Sequence, residues 1–368
     1  MIIGVPKEVK SKENRVGLVP GGVKQLVGFG HKVLIEKNAG IGVGLEDEVY
    51  VKAGAKIVAS ASDVWADADM VVKVKEPIEE EYSRLKEGQI LYTYLHLAAA
   101  GDLCKVLLEK RVSAVAYETI QLADRSLPLL KPMSEVAGRM SVQAGARCLE
   151  KHNGGKGLVL GGVPGVRRAK VAIIGGGVVG VNAAKIAIGM GASVSILDVD
   201  QKRLAYLDDI FSCQVTTLMS NPENIAEAVA QADLVIGAVL VTGAKAPVLV
   251  TKEMVLAMEK GSAIVDVAID QGGSVETIRP TTLADPIFNF GGINHYGVTN
   301  IPGDVPVTST YALTNVTLPY AINLANQGLE KAMHLDHALK LGLNAYHGKV
   351  THPAVAQALQ YEYHRVDF

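Results

Sequence analysis

The chain has 368 residues, a length that suggests two or three domains, each with a hydrophobic core of its own. Hydrophobic residues make up 49% of the chain and charged residues 20%, which excludes an intrinsically disordered protein. The formal net charge of -2 gives no reason to expect nucleic acid or an anionic membrane surface as a partner.

The amino-terminal segment and the cysteines indicate a cytoplasmic protein. The opening run MIIGVPKEVK is charged too early for a signal peptide, and no uncharged stretch is long enough to span a membrane. The three cysteines, Cys104, Cys148 and Cys213, form no CxxC pair, so neither a zinc site nor a disulfide framework is expected. We therefore predict buried, reduced thiols in a reducing cytosol.

Short apolar runs alternate with helical patterns through the first third of the chain. Four runs have the length and composition of strands: KVLIE, MVVKVKEP, QILYTYLH and SAVAYETI. Segments between them, such as AAAGDLCKVLLEKR, have helical periodicity. This alternation predicts an open parallel sheet covered by helices.

A domain boundary is predicted near LADRSLPLLKPM, where prolines and turn residues interrupt the pattern. Ser134 is expected to be the N-cap of a long helix through EVAGRMSVQAGARCLEK. A second alternation begins at residue 170, and the stretch from Pro306 is predicted to be helical. Because the second domain, 130–305, already has a full set of strands, the first domain is expected to combine 1–129 with 306–368. The predicted fold class is α/β, with two Rossmann-like domains, parallel sheets, a discontinuous first domain and a cleft between the domains.

The run VAIIGGGVVGVNAAKIAIGMGASVSILDVD contains a glycine pattern between a predicted strand and a predicted helix. Gly175, Gly177 and Gly180 occupy the positions of a GxGxxG motif. The first glycine permits a tight turn, the second lets the backbone approach a pyrophosphate, and the third allows close packing of the helix. Asp198 ends the next strand and is placed to bind a ribose 2′-hydroxyl, which favours NAD over NADP.

Two aspartates, Asp266 and Asp270, stand in the otherwise apolar run AIVDVAIDQGG. An extended chain would place both side chains on one face, with Asp270 at the carboxyl edge of the sheet, where ligands bind in open α/β folds. An unpaired carboxylate is costly to bury, so Asp266 is expected to be a structural acid bonded to backbone or to a hydroxyl. Asp270 is therefore the candidate for chemistry.

Polar residues also stand at the predicted strand ends of the first domain. Arg15 lies in the loop KEVKSKENRVGLVP, Lys75 ends MVVKVKEP, and His96 ends QILYTYLH. In the extended pattern, Lys73 and Lys75 share one face of their strand. Each residue alone has an ordinary interpretation, as a loop charge, a strand-end lysine or a half-buried histidine. Their shared position favours a substrate site, because a guanidinium suits a carboxylate and histidine is the natural acid/base near neutral pH.

Several longer segments carry a resemblance to a known family: IGVPKEVKSKENRVGLVP, VVKVKEP, LYTYLHLAA, VAYETIQ, LPLLKPMSEVAGRM, the glycine pattern and VDVAIDQGG. With these segments the whole chain resembles the alanine dehydrogenases, NAD-dependent enzymes that interconvert L-alanine with pyruvate and ammonia. The resemblance implies a substrate domain made from both chain ends, an NAD domain between them, and a homohexamer.

By this resemblance, Arg15 and Lys75 bind the carboxylate and carbonyl of pyruvate, and His96 is the catalytic acid/base. Asp270 is the second catalytic group, and together with His96 it would assist hydrolysis of the imine that hydride transfer to NAD leaves. The resemblance also implies NAD contacts from residues other than the three glycines and Asp198: Ser134, Val178, Val179, Arg203, Ser220, Val239, Leu240 and Asn300.

Alternatives to this interpretation remain at the level of sequence. Some relatives have an acid and a histidine in a late helix that could hold magnesium, but this chain has Asn323 and Gln327 there, so no metal is predicted. The NAD-binding component of proton-translocating transhydrogenase shares the implied fold and needs no amino-acid site. An NAD-sensing module without activity and a saccharopine-type dehydrogenase are further alternatives. Retention of all four polar site residues favours the alanine dehydrogenases.

Overall fold

A computed structural model of the protein describes residues 1–239 and 246–368. The described chain divides into two compact units. Unit 1 consists of Met1–Met133 together with Val305–Phe368, and unit 2 is Ser134–Asp304. Unit 1 is therefore discontinuous in sequence, and each unit is built around a sheet of its own.

The strands of both sheets are short. In chain order they are β1 Ile2–Val5, β2 Lys32–Glu36, β3 Lys56–Val58, β4 Met70–Val72, β5 Ile90–Thr93, β6 Ser113–Ala116, β7 Lys170–Ile174, β8 Ser193–Asp198, β9 Val215–Met219, β10 Leu234–Gly237, β11 Ala263–Asp266, β12 Ile287–Phe290, β13 Ile293–Tyr296, β14 Leu343–Tyr346 and β15 Lys349–Val350.

The two sheets have different strand orders. Within the described residues, the order in unit 1 is β15-β14-β6-β5-β4-β1-β2-β3, and in unit 2 it is β12-β13-β11-β10-β7-β8-β9. The pairings of β12 with β13, β14 with β6 and β15 with β14 are antiparallel. The other pairings are parallel. In each sheet, the carboxyl ends of the parallel strands therefore meet along one edge.

Helices connect the strands and cover the sheets. They are α1 Pro20–Gly28, α2 Asp47–Lys52, α3 Ala61–Asp67, α4 Glu79–Tyr82, α5 Gly101–Glu109, α6 Lys131–Cys148, α7 Val178–Gly189, α8 Gln201–Phe211, α9 Pro222–Gln231, α10 Lys252–Leu256, α11 Pro306–Gln327, α12 Leu329–Leu335, α13 His337–Leu341 and α14 Pro353–Leu359. Proline opens α1, α9, α11 and α14, where its missing N–H has no intrahelical partner to lose. Turns of 3-10 helix occur at Ile41–Val43, Leu97–Ala99, Tyr117–Thr119, Lys151–Asn153, Val267–Gln271 and Ile301–Asp304.

Both faces of the unit 2 sheet are buried, as is usual for parallel strands. In β7, Val171 and Ile173 pack into one hydrophobic cluster, whereas Ala172 and Ile174 pack into a second cluster. Alternate side chains of an extended strand point to opposite faces, so the two clusters lie on opposite sides of the sheet. With both faces covered, the edge formed by the strand ends is the place where polar groups can meet a ligand.

The predicted fold class is confirmed, because both units are α/β with mostly parallel sheets. Several details were wrong. The strand predicted from MVVKVKEP ends at Val72, so Lys73 and Lys75 lie beyond it and do not share a strand face. The stretch after Pro306 is not wholly helical, because β14 and β15 add an antiparallel extension to the sheet of unit 1.

Two predicted element ends also differ from the structure. α6 begins at Lys131, which places Ser134 inside the first turn rather than at the N-cap. β11 ends at Asp266, where the chain turns directly into 3-10 helix. Among the cysteines, Cys104 and Cys148 are buried as predicted, but Cys213 is exposed.

The described residues also bear on the expectation about membranes. None of the helices within residues 1–239 and 246–368 combines the length and the apolar character that crossing a bilayer requires.

Candidate active site

The turn that follows β7 places a different demand on each glycine of the motif. Gly175 has φ of 107°, and a Cβ there would lie 2.7 Å from the carbonyl oxygen of Ala238. A Cβ at Gly180 would lie 1.9 Å from the carbonyl oxygen of Gly175, so the helix can approach the turn this closely only with glycine. At Gly177, by contrast, no atom that the structure describes outside its local chain would lie within 4 Å of a Cβ. Internal packing explains Gly175 and Gly180, whereas no packing contact within residues 1–239 and 246–368 explains Gly177, and a ligand that approaches the backbone there would.

The helix that leaves this turn presents free donors. α7 begins at Val178, and within the described residues no side chain caps its first turn. The first N–H groups of a helix have no intrahelical partners and carry partial positive charge, so they favour an anion. An uncapped 12-residue helix beside an open glycine fits the pyrophosphate of a dinucleotide.

Asp198 is tied to the glycine turn through its carboxylate. One oxygen accepts the N–H of Gly176 at 2.7 Å, and the other accepts the N–H of Asp200 at 2.9 Å. Arg203 donates from its Nε to the carbonyl oxygen of Gly176, so Asp198 and Arg203 together hold the two peptide groups that flank Gly176. A carboxylate oxygen can accept more than one hydrogen bond, so Asp198 keeps capacity for a ribose hydroxyl.

Two of the other predicted NAD contacts lie beside this turn. Ser220 follows β9, and its N–H donates to the carbonyl oxygen of Asp198 at 2.9 Å. Val239 follows β10, and a Cβ on Gly175 would lie 3.2 Å from the Val239 nitrogen. The predicted contact Leu240 lies outside the described residues. The carboxyl ends of β7 to β10 therefore bring together most of the residues predicted for the cofactor.

The two remaining predicted contacts lie near the two ends of unit 2 in the chain. Ser134 lies on α6, and this helix packs against α7 so closely that a Cβ on Gly138 would be 2.3 Å from the carbonyl oxygen of Val179. Asn300 follows β13 with φ of 60°, and its carbonyl oxygen accepts the N–H of Gly303 at 2.8 Å.

The two aspartates of the apolar run have separate environments. Asp266 is fully buried and accepts hydrogen bonds from the N–H groups of Ala268, Ser274 and Val275 and from the Ser274 hydroxyl. The prediction of a structural acid is confirmed, and burial raises the pKa of Asp266. Asp270 is exposed in the 3-10 turn Val267–Gln271. The expectation that both side chains share one strand face was wrong, because the strand ends at Asp266.

In unit 1, Arg15 is buried and oriented by an acid that the sequence analysis did not select. Its Nε donates to Glu13 Oε1 at 2.7 Å, and its Nη2 donates to Glu13 Oε2 at 2.6 Å. The two residues therefore form a bidentate ion pair. The other terminal nitrogen lies 3.1 Å from the sulfur of Met133. Only 2% of Arg15 is exposed, so the guanidinium is held rigidly rather than solvated as a loop charge. The spacing of Glu13 and Arg15 was the one sequence signal for this pair.

Lys75 lies close to Arg15. Burial, and then the positive charge of Arg15, lower the pKa of Lys75. Two cations in proximity at a strand end favour a ligand with negative charge and an electron-rich oxygen. The neighbouring Lys73 is different, because it is fully buried in a triad with Glu8 and Glu81, at 3.2 and 3.0 Å.

His96 follows β5 in a left-handed backbone conformation, with φ of 50° and ψ of 36°. Its side chain is exposed and stacks on Tyr94, with ring centroids 5.9 Å apart and planes 7° from parallel. The Tyr94 hydroxyl donates to the carbonyl oxygen of Leu129 at 2.6 Å, which fixes the ring beneath the imidazole. Glu118 accepts the backbone N–H of His96 at 2.6 Å. Tyr94 and Glu118 are further residues that the sequence analysis missed.

The structure thus forms two groups of site residues. Arg15, Lys75 and His96 lie in unit 1 at the carboxyl ends of its parallel strands, with Tyr94 close to both Arg15 and His96. The glycine turn and Asp270 belong to unit 2. Within the residues that the structure describes, no group of three or more histidine, cysteine or acidic side chains is arranged to hold a metal ion.

Comparison with known protein families identifies the family of the chain. Residues 4–137 match the family described as Alanine dehydrogenase/PNT, N-terminal domain, and residues 141–353 match Alanine dehydrogenase/PNT, C-terminal domain. The chain belongs to the alanine dehydrogenase/PNT family. The predicted family, enzyme class and cofactor are confirmed, and the protein is an NAD-dependent amino-acid dehydrogenase.

Individual relatives agree over nearly the whole length. An alanine dehydrogenase of Methanococcus maripaludis is 61% identical over 359 residues, covering 97% of this chain and 96% of the relative. A solved L-alanine dehydrogenase has a TM-score of 0.96 and 55% identity, covering 98% of this chain and 99% of that one. A transhydrogenase of Sinorhizobium meliloti has a TM-score of 0.84 and 25% identity, covering 96% of this chain and 100% of that one. Proteins named for two different activities thus share the fold of this chain.

Proposed function

We propose that the protein catalyses the reversible, NAD-dependent oxidative deamination of L-alanine to pyruvate and ammonia. The observation that carries the proposal is the group of Arg15, Lys75 and His96 at the carboxyl ends of the unit 1 strands. A site for hydride exchange between two nucleotides has no need of a rigid guanidinium beside a second cation. The names of the relatives with 61% and 55% identity support alanine as the amino acid.

Arg15 binds the substrate carboxylate in this proposal. Its pair with Glu13 uses one edge of the guanidinium and fixes the plane of the fork. Guanidinium–carboxylate pairs are frequently bidentate, so a guanidinium whose plane is fixed suits a planar substrate carboxylate. Lys75 donates to the carbonyl oxygen of pyruvate, or to the carbinolamine oxygen that precedes it. Its lowered pKa makes proton donation easier than for an ordinary lysine.

The glycine turn and the start of α7 would hold the NAD pyrophosphate, and Asp198 would hold the adenosine ribose. When bound, NAD supplies the acceptor for the substrate hydride, and the protein supplies orientation. The fit rests on the open space at Gly177 and on the uncapped helix.

His96 carries out the proton transfers. After the Cα–H bond of alanine has been broken, the substrate is an imine, and His96 takes a proton from the water that adds to the imine carbon. The same imidazole returns a proton to the departing nitrogen as the carbinolamine becomes pyruvate and ammonia. A histidine can do both near neutral pH because its ordinary pKa is close to the working pH. Asp270 orients the water or ammonia and balances the positive charge of the iminium form.

The decisive assay follows NADH absorbance in the presence of pyruvate, ammonia or both. We expect NADH to be consumed only when pyruvate and ammonia are both present. Consumption with pyruvate alone would indicate a hydroxy-acid dehydrogenase. Transfer of hydride from NADH to an NADP analogue without either substrate would indicate a transhydrogenase component and would overturn the proposal.

We also propose that the chain assembles as a homohexamer in the cytoplasm, an inference supported by the family resemblance. Light scattering coupled to size-exclusion chromatography measures the mass directly. A particle of one or two chains of 38.8 kDa would contradict the hexamer.

A further inference from the structure

We propose that Glu118 is a positioning residue for His96, which it holds through the backbone so that the imidazole keeps one orientation toward the substrate. The inference rests on the proposed acid/base role of His96. It adds a residue that acts on the reaction without touching the reacting atoms.

The backbone of His96 needs an external restraint. A left-handed conformation is uncommon for a residue with a side chain, and it persists where the surroundings hold it in place. Here His96 has φ of 50° and ψ of 36°. Glu118 supplies the restraint, because its Oε1 accepts the N–H of His96 at 2.6 Å and both of its oxygens lie 3.2 Å from the nitrogen of Leu95. One carboxylate therefore joins two successive peptide groups at the end of β5.

Glu118 itself stands on a rigid support. It lies in the 3-10 turn Tyr117–Thr119, directly after β6, and β6 pairs in parallel with β5 up to Thr93 and Ala116. Tyr117 in the same turn is fully buried, and its hydroxyl donates to the carbonyl oxygen of Lys73 at 3.0 Å. The carboxylate is consequently fixed relative to the sheet, and the peptide groups that it binds are fixed with it.

The imidazole and the backbone of His96 have separate partners. Tyr94 stacks on the face of the imidazole, whereas Glu118 binds the N–H of the main chain. Stacking alone leaves the ring able to slide across the tyrosine as the backbone moves. Holding the peptide group at the correct angle removes that freedom. A displacement of about 1 Å in a catalytic group can cost about 10²-fold in rate.

A carboxylate suits this role better than an amide. Both oxygens of glutamate accept hydrogen bonds, and a bond from N–H to an ionised acceptor is stronger than one to a neutral acceptor. In Glu118→Gln one oxygen becomes an NH₂ group, which would face a backbone donor. The substitution keeps the size of the side chain and weakens its hold on residues 95 and 96.

The test is a double-mutant cycle with Glu118→Gln, His96→Ala and the combined variant. We expect Glu118→Gln to lower kcat by about 10–100-fold, with pyruvate KM and NADH affinity near those of the wild type. We expect the combined variant to be no slower than His96→Ala, because a positioning residue has nothing left to position. As a matched control, Asp69→Asn removes a carboxylate that binds the N–H of Ile2 at 2.7 Å at the opposite edge of the same sheet. This control should keep its kcat.

Each other outcome has a definite meaning. If His96→Ala turns over normally, the proposed role of His96 fails and the role of Glu118 fails with it. If His96→Ala is slow but Glu118→Gln keeps its kcat, the positioning role alone is overturned. The same holds if Glu118→Gln slows the His96→Ala enzyme as much as it slows the wild type. Should Glu118→Gln fail to fold, Glu118→Asp keeps the charge, shortens its reach and is judged by the same cycle.

Discussion

The carboxyl ends of the two sheets carry two kinds of proposed site. In unit 2, the groups offered to a ligand belong mostly to the backbone: the N–H groups at the start of α7 and the open face of Gly177. In unit 1, the corresponding groups are the side chains of Arg15, Lys75 and His96. Buried Glu13 holds the Arg15 side chain, and half-buried Glu118 holds the His96 backbone. A backbone site is held in place by the fold itself. A side-chain site needs additional residues that orient each functional group, and Glu13 and Glu118 meet that need.

The largest effect is expected when a methyl group is added to a glycine of the turn in unit 2. Gly180→Ala should destabilise unit 2 by about 3 kcal/mol or more, because its Cβ would overlap a carbonyl oxygen that cannot move away. Gly177→Ala should melt at the wild-type temperature and lose NADH affinity, because its Cβ enters space where no described protein atom lies nearby. Thermal melts and NADH fluorescence titrations distinguish the two variants. Equal destabilisation by both would show that Gly177 is needed for packing.

The second prediction separates the two aspartates that follow one another in unit 2. Asp270→Asn should fold normally, bind NADH and lose about 10²-fold in kcat, as expected for a lost acid/base or charge-balancing group. Asp266→Asn should cost about 1–3 kcal/mol of stability, because its new NH₂ group would face buried N–H donors. Rates and melts of both purified variants decide the matter. The reverse pattern would mean that the two roles are exchanged.

The third prediction tests whether the planar guanidinium of Arg15 binds the substrate carboxylate, with a substitution that keeps a positive charge beside Glu13. Arg15→Lys keeps the buried positive charge but loses the planar pair of donors. We expect kcat/KM for pyruvate to fall by about 10–100-fold, since one hydrogen bond to a charged group contributes about 1.5–3 kcal/mol. NADH affinity should stay unchanged. Arg167→Lys is the matched control, because Arg167 makes a comparable two-point pair with Asp233 at 2.7 and 3.0 Å, in unit 2.

The smallest expected effect is on stability, because the positive charges of Lys75 and Arg15 are held close together in the folded protein. Because the folded protein lowers the pKa of Lys75, the folded state binds this proton less readily than the unfolded state does. The wild type therefore gains stability from this group as the pH rises from the lowered pKa toward the ordinary value of 10.5. Lys75→Met should melt at a higher temperature than the wild type near neutral pH, and its advantage should shrink toward pH 10.5. The lowered pKa of Lys75 would be contradicted if the melting temperature of Lys75→Met, relative to that of the wild type, were lower at neutral pH than at high pH.

The same contrast explains what the sequence could predict. The steric requirement for glycine at Gly175 and Gly180 is local, because it arises within one turn and the helix that follows it. A fixed sequence spacing, the GxGxxG motif, therefore predicts it. Glu13 is only two residues from Arg15, but other supports in unit 1 join residues far apart in the chain: Glu118 with His96 and Glu8 with Lys73, at separations of 22 and 65 residues. No spacing rule predicts such pairs. The placement of the site at the carboxyl ends of the strands stays a prediction, and the sequence did not point to Glu13 and Glu118 as partners of Arg15 and His96.

Strand lengths were the other weak point. Lys73 and Lys75 were placed in β4 because the apolar alternation continues through them, but the strand ends at Val72. Lys73 is buried after the strand end because Glu8 and Glu81 neutralise it, a tertiary arrangement that overrides the local pattern. β14 was missed because it joins β6 antiparallel, after the chain has returned from unit 2.

The return of residues 305–368 to unit 1 has a consequence for synthesis of the protein. When Asp304 leaves the ribosome, all of unit 2 has been made, whereas β6 still lacks its partner β14. The hydroxyl of Tyr92 also lacks the carbonyl oxygen of Thr317, which it binds at 3.0 Å in the finished fold. The unit that starts first is thus completed last, and its exposed sheet edge is the natural target for a chaperone during that interval. A chain ended at Asp304 should accordingly lose residues 1–133 to a protease before unit 2 is cut.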